Sequence, residues 1–100
     1  MNSIMQKNRE KCFLCEGRAN YRDGNLEEHH CFGGPNRKLS EKYGLKVYLH
    51  AFTCHREGQA AVHKDRASRL FVQGEAQKAF EKTHTREEFM KIFGKNYLPN

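Results

Sequence analysis

The run Leu26-Glu27-Glu28-His29-His30-Cys31-Phe32-Gly33-Gly34-Pro35, followed by Lys46-Val47-Tyr48-Leu49-His50 and then Cys54-His55, decides the fold. Residues 26–32 predict a short strand, and the alternation in residues 46–50 predicts a second. Between them, residues 33–44 carry Pro35 near the start and Gly44 at the end, the pattern of a short helical turn within a loop. Upstream, Asp23-Gly24 is a turn dipeptide suited to closing a hairpin. A helix is expected to start near Gln59 and to carry Ala60, Ala61, Val62 and His63. Residues 65–100 read as helix. Ala67, Leu70, Phe71, Ala76, Ala79 and Phe80 recur near a 3.6-residue period, and Gly74 is the point where that pattern would bend or divide. Thr85-Arg86-Glu87-Glu88 forms a capping box, Phe89, Ile92 and Phe93 an apolar stripe, and Gly94 a C-terminal stop. The expected class is α+β.

Composition limits what this chain can be. One hundred residues hold one core, and 37% hydrophobic against 30% charged residues make that core thin. A staple is expected: a metal, disulfides or a partner chain. No apolar run approaches the roughly 20 residues of a membrane span, and residues 1–11 lack the apolar stretch of a signal peptide. A cytoplasmic setting with no membrane is the expectation, and there thiols bind metal more often than they form disulfides. The net charge of +6 attracts polyanions, nucleic acid first among them.

Cys12-x-x-Cys15 places two thiolates on a tight knuckle suited to tetrahedral zinc. His50 and Cys54 complete a closed Cys3His set, with Cys31 as the alternative to His50. Reduced, buried cysteines are the bland reading of the same residues. A redox role for the Cys pair lacks the surrounding βαβ pattern.

The second constellation is His29-His30 with His55 and His63. Neighbouring strand residues face opposite ways, so one imidazole can hold an ion while the other does different work. Glu27 and Glu28 are placed to orient the rings. A neutral imidazole can act as general base for water, and a divalent ion can stabilise a leaving oxygen, a division of labour that suits phosphodiester hydrolysis. His63 reads equally as ligand or helix surface, and His84 reads as a surface residue.

The ordered set Cys12-x-x-Cys15, His29-His30, Gly33-Gly34 and Cys54-His55 resembles the HNH endonucleases of the His-Me finger (ββα-metal) superfamily. Residues 29–45 look like the small HNH nucleases of phages and prophages. The likeness covers residues 12–63 and extends weakly into the tail. It implies one nuclease domain over 1–100: a ββα-metal finger with a zinc knuckle, then a helical extension over 64–100. By position, His30 matches the general base and His29 a ligand of the catalytic ion. His55 matches the ligand from the helix side, and His63 the further helix His of nuclease colicins. His63 lies eight residues beyond His55, so either is open as principal ligand. Cys12, Cys15, His50 and Cys54 match a structural zinc knuckle. The pattern's middle Asn is missing before the second strand. Asn36, earlier in the loop, is left either to brace the catalytic His or to form a turn.

The resemblance implies DNA as partner and Mg, Mn, Ni or Zn at the catalytic site. It also implies the cytoplasm of a bacterial host, with other phage proteins as further partners. Arg37, Lys38 and Lys42, with Lys46, lie near the proposed centre in sequence. Arg56, Lys64 and Arg66, with Arg69, offer a second basic stripe, and for any single one a solvated face is the bland reading. Phe80, Phe89 and Phe93 are expected either to pack on the finger or to make a homodimer seam. A non-catalytic zinc module that binds nucleic acid is the alternative function.

Overall fold

β1, Leu26–His30, and β2, Lys46–His50, form a two-stranded antiparallel sheet in which His29 faces Val47 and His30 faces Lys46. The computed structural model describes residues 1–17 and 26–99. The hairpin expected at Asp23-Gly24 lies outside the described residues. Every residue of β2 is buried. Its free edge is covered by the N-terminal segment: the Phe13 N–H donates to the Tyr48 carbonyl at 2.9 Å, and Gln6 Oε1 accepts from the Tyr48 N–H at 2.8 Å. A two-stranded sheet is marginal alone, and this cover supplies what a third strand would.

Pro35 sits in a 3-10 turn, Gly34–Asn36, that leads into the short helix α1, Arg37–Lys42. Ser40, buried on α1, accepts from the Phe32 N–H at 3.2 Å and donates to the Leu45 carbonyl at 2.6 Å, tying the end of β1 to the start of β2.

The helix expected from Gln59 is absent. One π-helical turn, Ala51–Arg56, follows β2 directly, and tight turns lead on to Asp65. The reason lies in the backbone partners. The N–H groups of Val62 and His63 go to the carbonyls of Cys54 (2.9 Å) and His55 (3.2 Å), not to carbonyls four residues back, so this segment is laced to the π-turn.

α2, Arg66–Phe80, is capped by Asp65, which accepts from the Ser68 N–H. It runs through Gly74 without dividing. Its inward face also differs from the expected stripe. Ala67, Leu70 and Phe71 are exposed, while Val72, Ala76, Ala79 and Phe80 are buried. α3, Arg86–Phe93, has the capping box as read, with Gly94 left-handed at its end. Phe80, Phe89 and Phe93 are not a dimer seam. All three are buried within the chain, where Phe32, Phe80, Phe89 and Phe93 pack in tilted, edge-on and stacked pairs with ring centroids 4.7–6.0 Å apart. This aromatic cluster joins the helical tail to the sheet through Phe32, Val47 and Leu49. No helix among the described residues is long and apolar enough to cross a membrane.

Candidate functional site

The first cluster joins the N-terminal segment to the end of β2. Ligand atoms of Cys12, Cys15, His50 and Cys54 all lie within 4.8 Å of one another. His50 Nδ1 is 3.2 Å from Cys15 Sγ and 3.7 Å from Cys54 Sγ. For zinc bonded at about 2.3 Å to sulfur and about 2.0 Å to nitrogen, the S···N edge of a tetrahedron is about 3.5 Å. The two measured edges bracket that value. Burial pushes the Cys12 thiol up, but backbone N–H groups of Cys15, His50 and Leu14 more than offset it, so its net direction is down, toward thiolate. Burial pushes the Cys54 thiol up to about 12. Gly17 completes the cradle, since a Cβ there would lie 3.2 Å from His50 Cε1 and 3.4 Å from Cys15 Sγ. The set of four is therefore fit to hold a metal ion such as zinc. Cys31 is not part of it: it is buried, and its thiol donates to Met5 Sδ at 3.5 Å.

The second cluster draws on three segments. His29 comes from β1, His55 from the π-turn, and His63 from the laced turns that follow. His55 Nε2 lies 3.3 Å from His29 Nδ1 and 3.0 Å from His63 Nε2. Glu27 Oε1 lies 2.9 Å from His55 Nδ1. A carboxylate only accepts, so the neutral His55 carries its hydrogen on Nδ1 and its lone pair on Nε2, toward the other two rings. Burial first, then the neighbouring His55, His63 and His30, drive His29 down to about 3. Burial and His55 lower His63 as well. Rings converging at these distances could hold a divalent ion.

His30 is not a member of that set, although it lines the same cleft. Its Nε2 lies 2.8 Å from Glu41 Oε1. By the same rule Nε2 carries a hydrogen, and the neutral ring has its lone pair on Nδ1. Glu41 also accepts from Lys46 Nζ at 3.0–3.1 Å and from the Met1 ammonium at 2.8 Å. That ammonium first, then His30 and Lys46, hold the Glu41 carboxyl well below its usual range. Glu28, His30 and Glu41 also converge. However, the ammonium of buried Lys46 stands among them, 3.5 Å from Glu28 Oε1, and supplies the cation that the carboxylates need.

His29, His30, His55 and His63 line one cleft of about 390 Å³, together with Arg37 from α1 and Arg69 and Gln73 from α2. Arg69 Nη1 is docked on the Val62 carbonyl at 3.1 Å, beside His63. Of the eight cations expected to bind nucleic acid, only Arg37 and Arg69 line the cleft. Lys38, Lys42 and Arg66 are exposed away from it, Lys64 pairs with Glu57 at 3.1 Å, and Arg56 pairs with Glu27. Lys46 is spent on Glu41. Asn36 is not among the described residues lining the cleft, and its amide is directed at the Phe93 carbonyl 3.5 Å away. It forms the turn and has no bracing contact with His30.

No family model, curated protein or solved structure matches this chain. The site therefore stands on its own geometry. Glu41 and Gln73 are the members that sequence reading missed. For Glu41 a signal existed: it lies one helical turn from Arg37, on the same face of α1.

Proposed function

We propose that the chain is a metal-dependent endonuclease of the HNH type that hydrolyses DNA phosphodiester bonds. The observation that carries this reading is the placing of two kinds of imidazole in one cleft. Three converge as ligands, and a fourth, His30, is held by a carboxylate with its lone pair on Nδ1. His29, His55 and His63 would hold the divalent ion, which supplies charge stabilisation at the phosphate and the departing 3′ oxygen. Imidazole ligands favour borderline ions such as Zn or Ni, with Mn and the abundant Mg as harder alternatives.

His30 Nδ1 takes the proton from a water molecule whose oxygen attacks phosphorus, and the bond from phosphorus to the 3′ oxygen breaks. Glu41 keeps the ring in that tautomer and orientation and stabilises the imidazolium that forms. Arg37 and Arg69 bind non-bridging phosphate oxygens, contacts blind to base sequence. The four-ligand Cys3His centre holds structural zinc, and the sheet with its π-turn serves as the ββα-metal finger. A phage or prophage origin and a bacterial cytoplasmic setting accompany this reading.

The test is nicking of supercoiled plasmid by His30→Ala with added divalent metal. The expected loss is about 10²–10⁴-fold, the scale of general-base catalysis, with metal content and melting temperature held. Equal nicking by the variant would remove the proposal and leave a zinc module that binds nucleic acid without cutting it.

A further inference from the structure

Cys54 and His55 are consecutive residues, yet they belong to different clusters. Both stand on the single π-helical turn Ala51–Arg56. The lacing repeats this pairing one layer out. Val62 is bonded to Cys54 and His63 to His55, so His63 takes its position from the same turn. Arg69 then fixes the Val62 carbonyl from α2. Two of the three imidazole ligands thus hang on a turn whose anchor is a zinc-cluster thiol. The third, His29, is held separately by β1.

We propose that the Cys3His centre is a control site for the three-histidine centre: zinc at Cys12, Cys15, His50 and Cys54 fixes the π-turn, and the fixed turn gives the second ion its affinity. The proposal rests on reading both clusters as metal sites, and it does not depend on the reaction catalysed. Its physical basis is preorganisation. With the first centre filled, His55 and His63 are already in place when the second ion arrives. With it empty, the second ion must order the 51–63 segment itself and binds more weakly by that cost. Coupling of this kind is reciprocal by thermodynamic necessity.

Manganese(II) is the suitable probe, because thiolates hold it poorly while imidazoles accept it. Binding is read from the paramagnetic resonance signal of free Mn2+, on zinc-loaded and zinc-free protein. We expect zinc loading to tighten Mn2+ binding by about 5–150-fold, the usual range for coupled sites. Saturating Mn2+ should tighten zinc binding by the same factor, measured against a zinc-chelating dye. In His63→Ala, which alters an exposed side chain, the Mn2+ effect on zinc should vanish while zinc still loads. Equal Mn2+ affinity with and without zinc, the helical circular dichroism being retained, would overturn the coupling. Loss of that helical signal on zinc removal would mean global unfolding and would overturn the claim of a shared local turn. No Mn2+ binding in either state would overturn the three-histidine ligand set and the coupling with it.

Discussion

Removing zinc from the Cys3His centre should lower the melting temperature by about 11–22 °C at micromolar free zinc. The size follows from the site. Structural zinc contributes about 10–16 kcal/mol of binding free energy in small domains. The low end of that range is the conservative expectation. About 10 kcal/mol corresponds to a Kd near 50 nM. At about 5 μM free zinc, roughly 100 times that Kd, the native state gains about 2.7 kcal/mol. A domain of 60–100 residues moves by about 4–8 °C per kcal/mol. The assay is differential scanning calorimetry of zinc-loaded and chelated protein, with elemental analysis of each sample. Cys15→Ser, at the exposed ligand, should bring the zinc-loaded midpoint toward the chelated one. Coincident midpoints for the two wild-type samples would refute the reasoning, because four ligand atoms this close in the native chain cannot bind zinc without stabilising it.

Glu41→Gln should lower the nicking rate by about 10–100-fold, the scale for residues that orient a ligand or base, with zinc content unchanged; an unaltered rate would show that the His30 contact is incidental. Phe89→Ala removes a fully buried ring from the aromatic cluster and should cost about 3–5 kcal/mol in urea unfolding. Thr85→Ala should cost about 1 kcal/mol through the lost cap of α3. In the same capping box, the Thr85 backbone N–H first, then its hydroxyl, hold Glu88 below its usual range. The native state therefore binds that proton less readily than the unfolded chain. Glu88 contributes stability above its unfolded value of 4.5 and loses it as pH falls through the lower native value. Glu88→Ala should thus destabilise at pH 6 and approach wild-type stability in strong acid, as followed by denaturant midpoints at each pH.

Local signals carried the parts of the fold that local chemistry decides. Residues 46–50 alternate and form a strand, and Thr85 and Glu88 cap a helix whose stop is Gly94. The residues that the Cys and His spacings singled out do converge into two clusters, because knuckles and strand alternation are short-range geometry. Tertiary choices were less legible. On α2 the stripe through Ala67, Leu70 and Phe71 has the same period as the one through Val72, Ala76 and Phe80. Only the position of Phe32, Phe89 and Phe93 decides which face turns inward. The π-turn was invisible because six residues carry too little periodicity, and the backbone bonds that favour it come from Val62 and His63. Glu41 stood in a charged, solvent-like run. Its role depends on β1 and β2 bringing His30 and Lys46 to it. The two roles open to Asn36 differ only in tertiary contact, and its amide is directed at the Phe93 carbonyl.

The ammonium of Lys46 solves a sorting problem. Glu28 and Glu41 converge beside the three-histidine cluster and, left bare, would make an oxygen-rich trap for hard cations. A tethered cation that never dissociates fills that trap from within. The acidic pair is thereby balanced by the chain itself, with Glu41 shared between the His30 ring and the Lys46 ammonium.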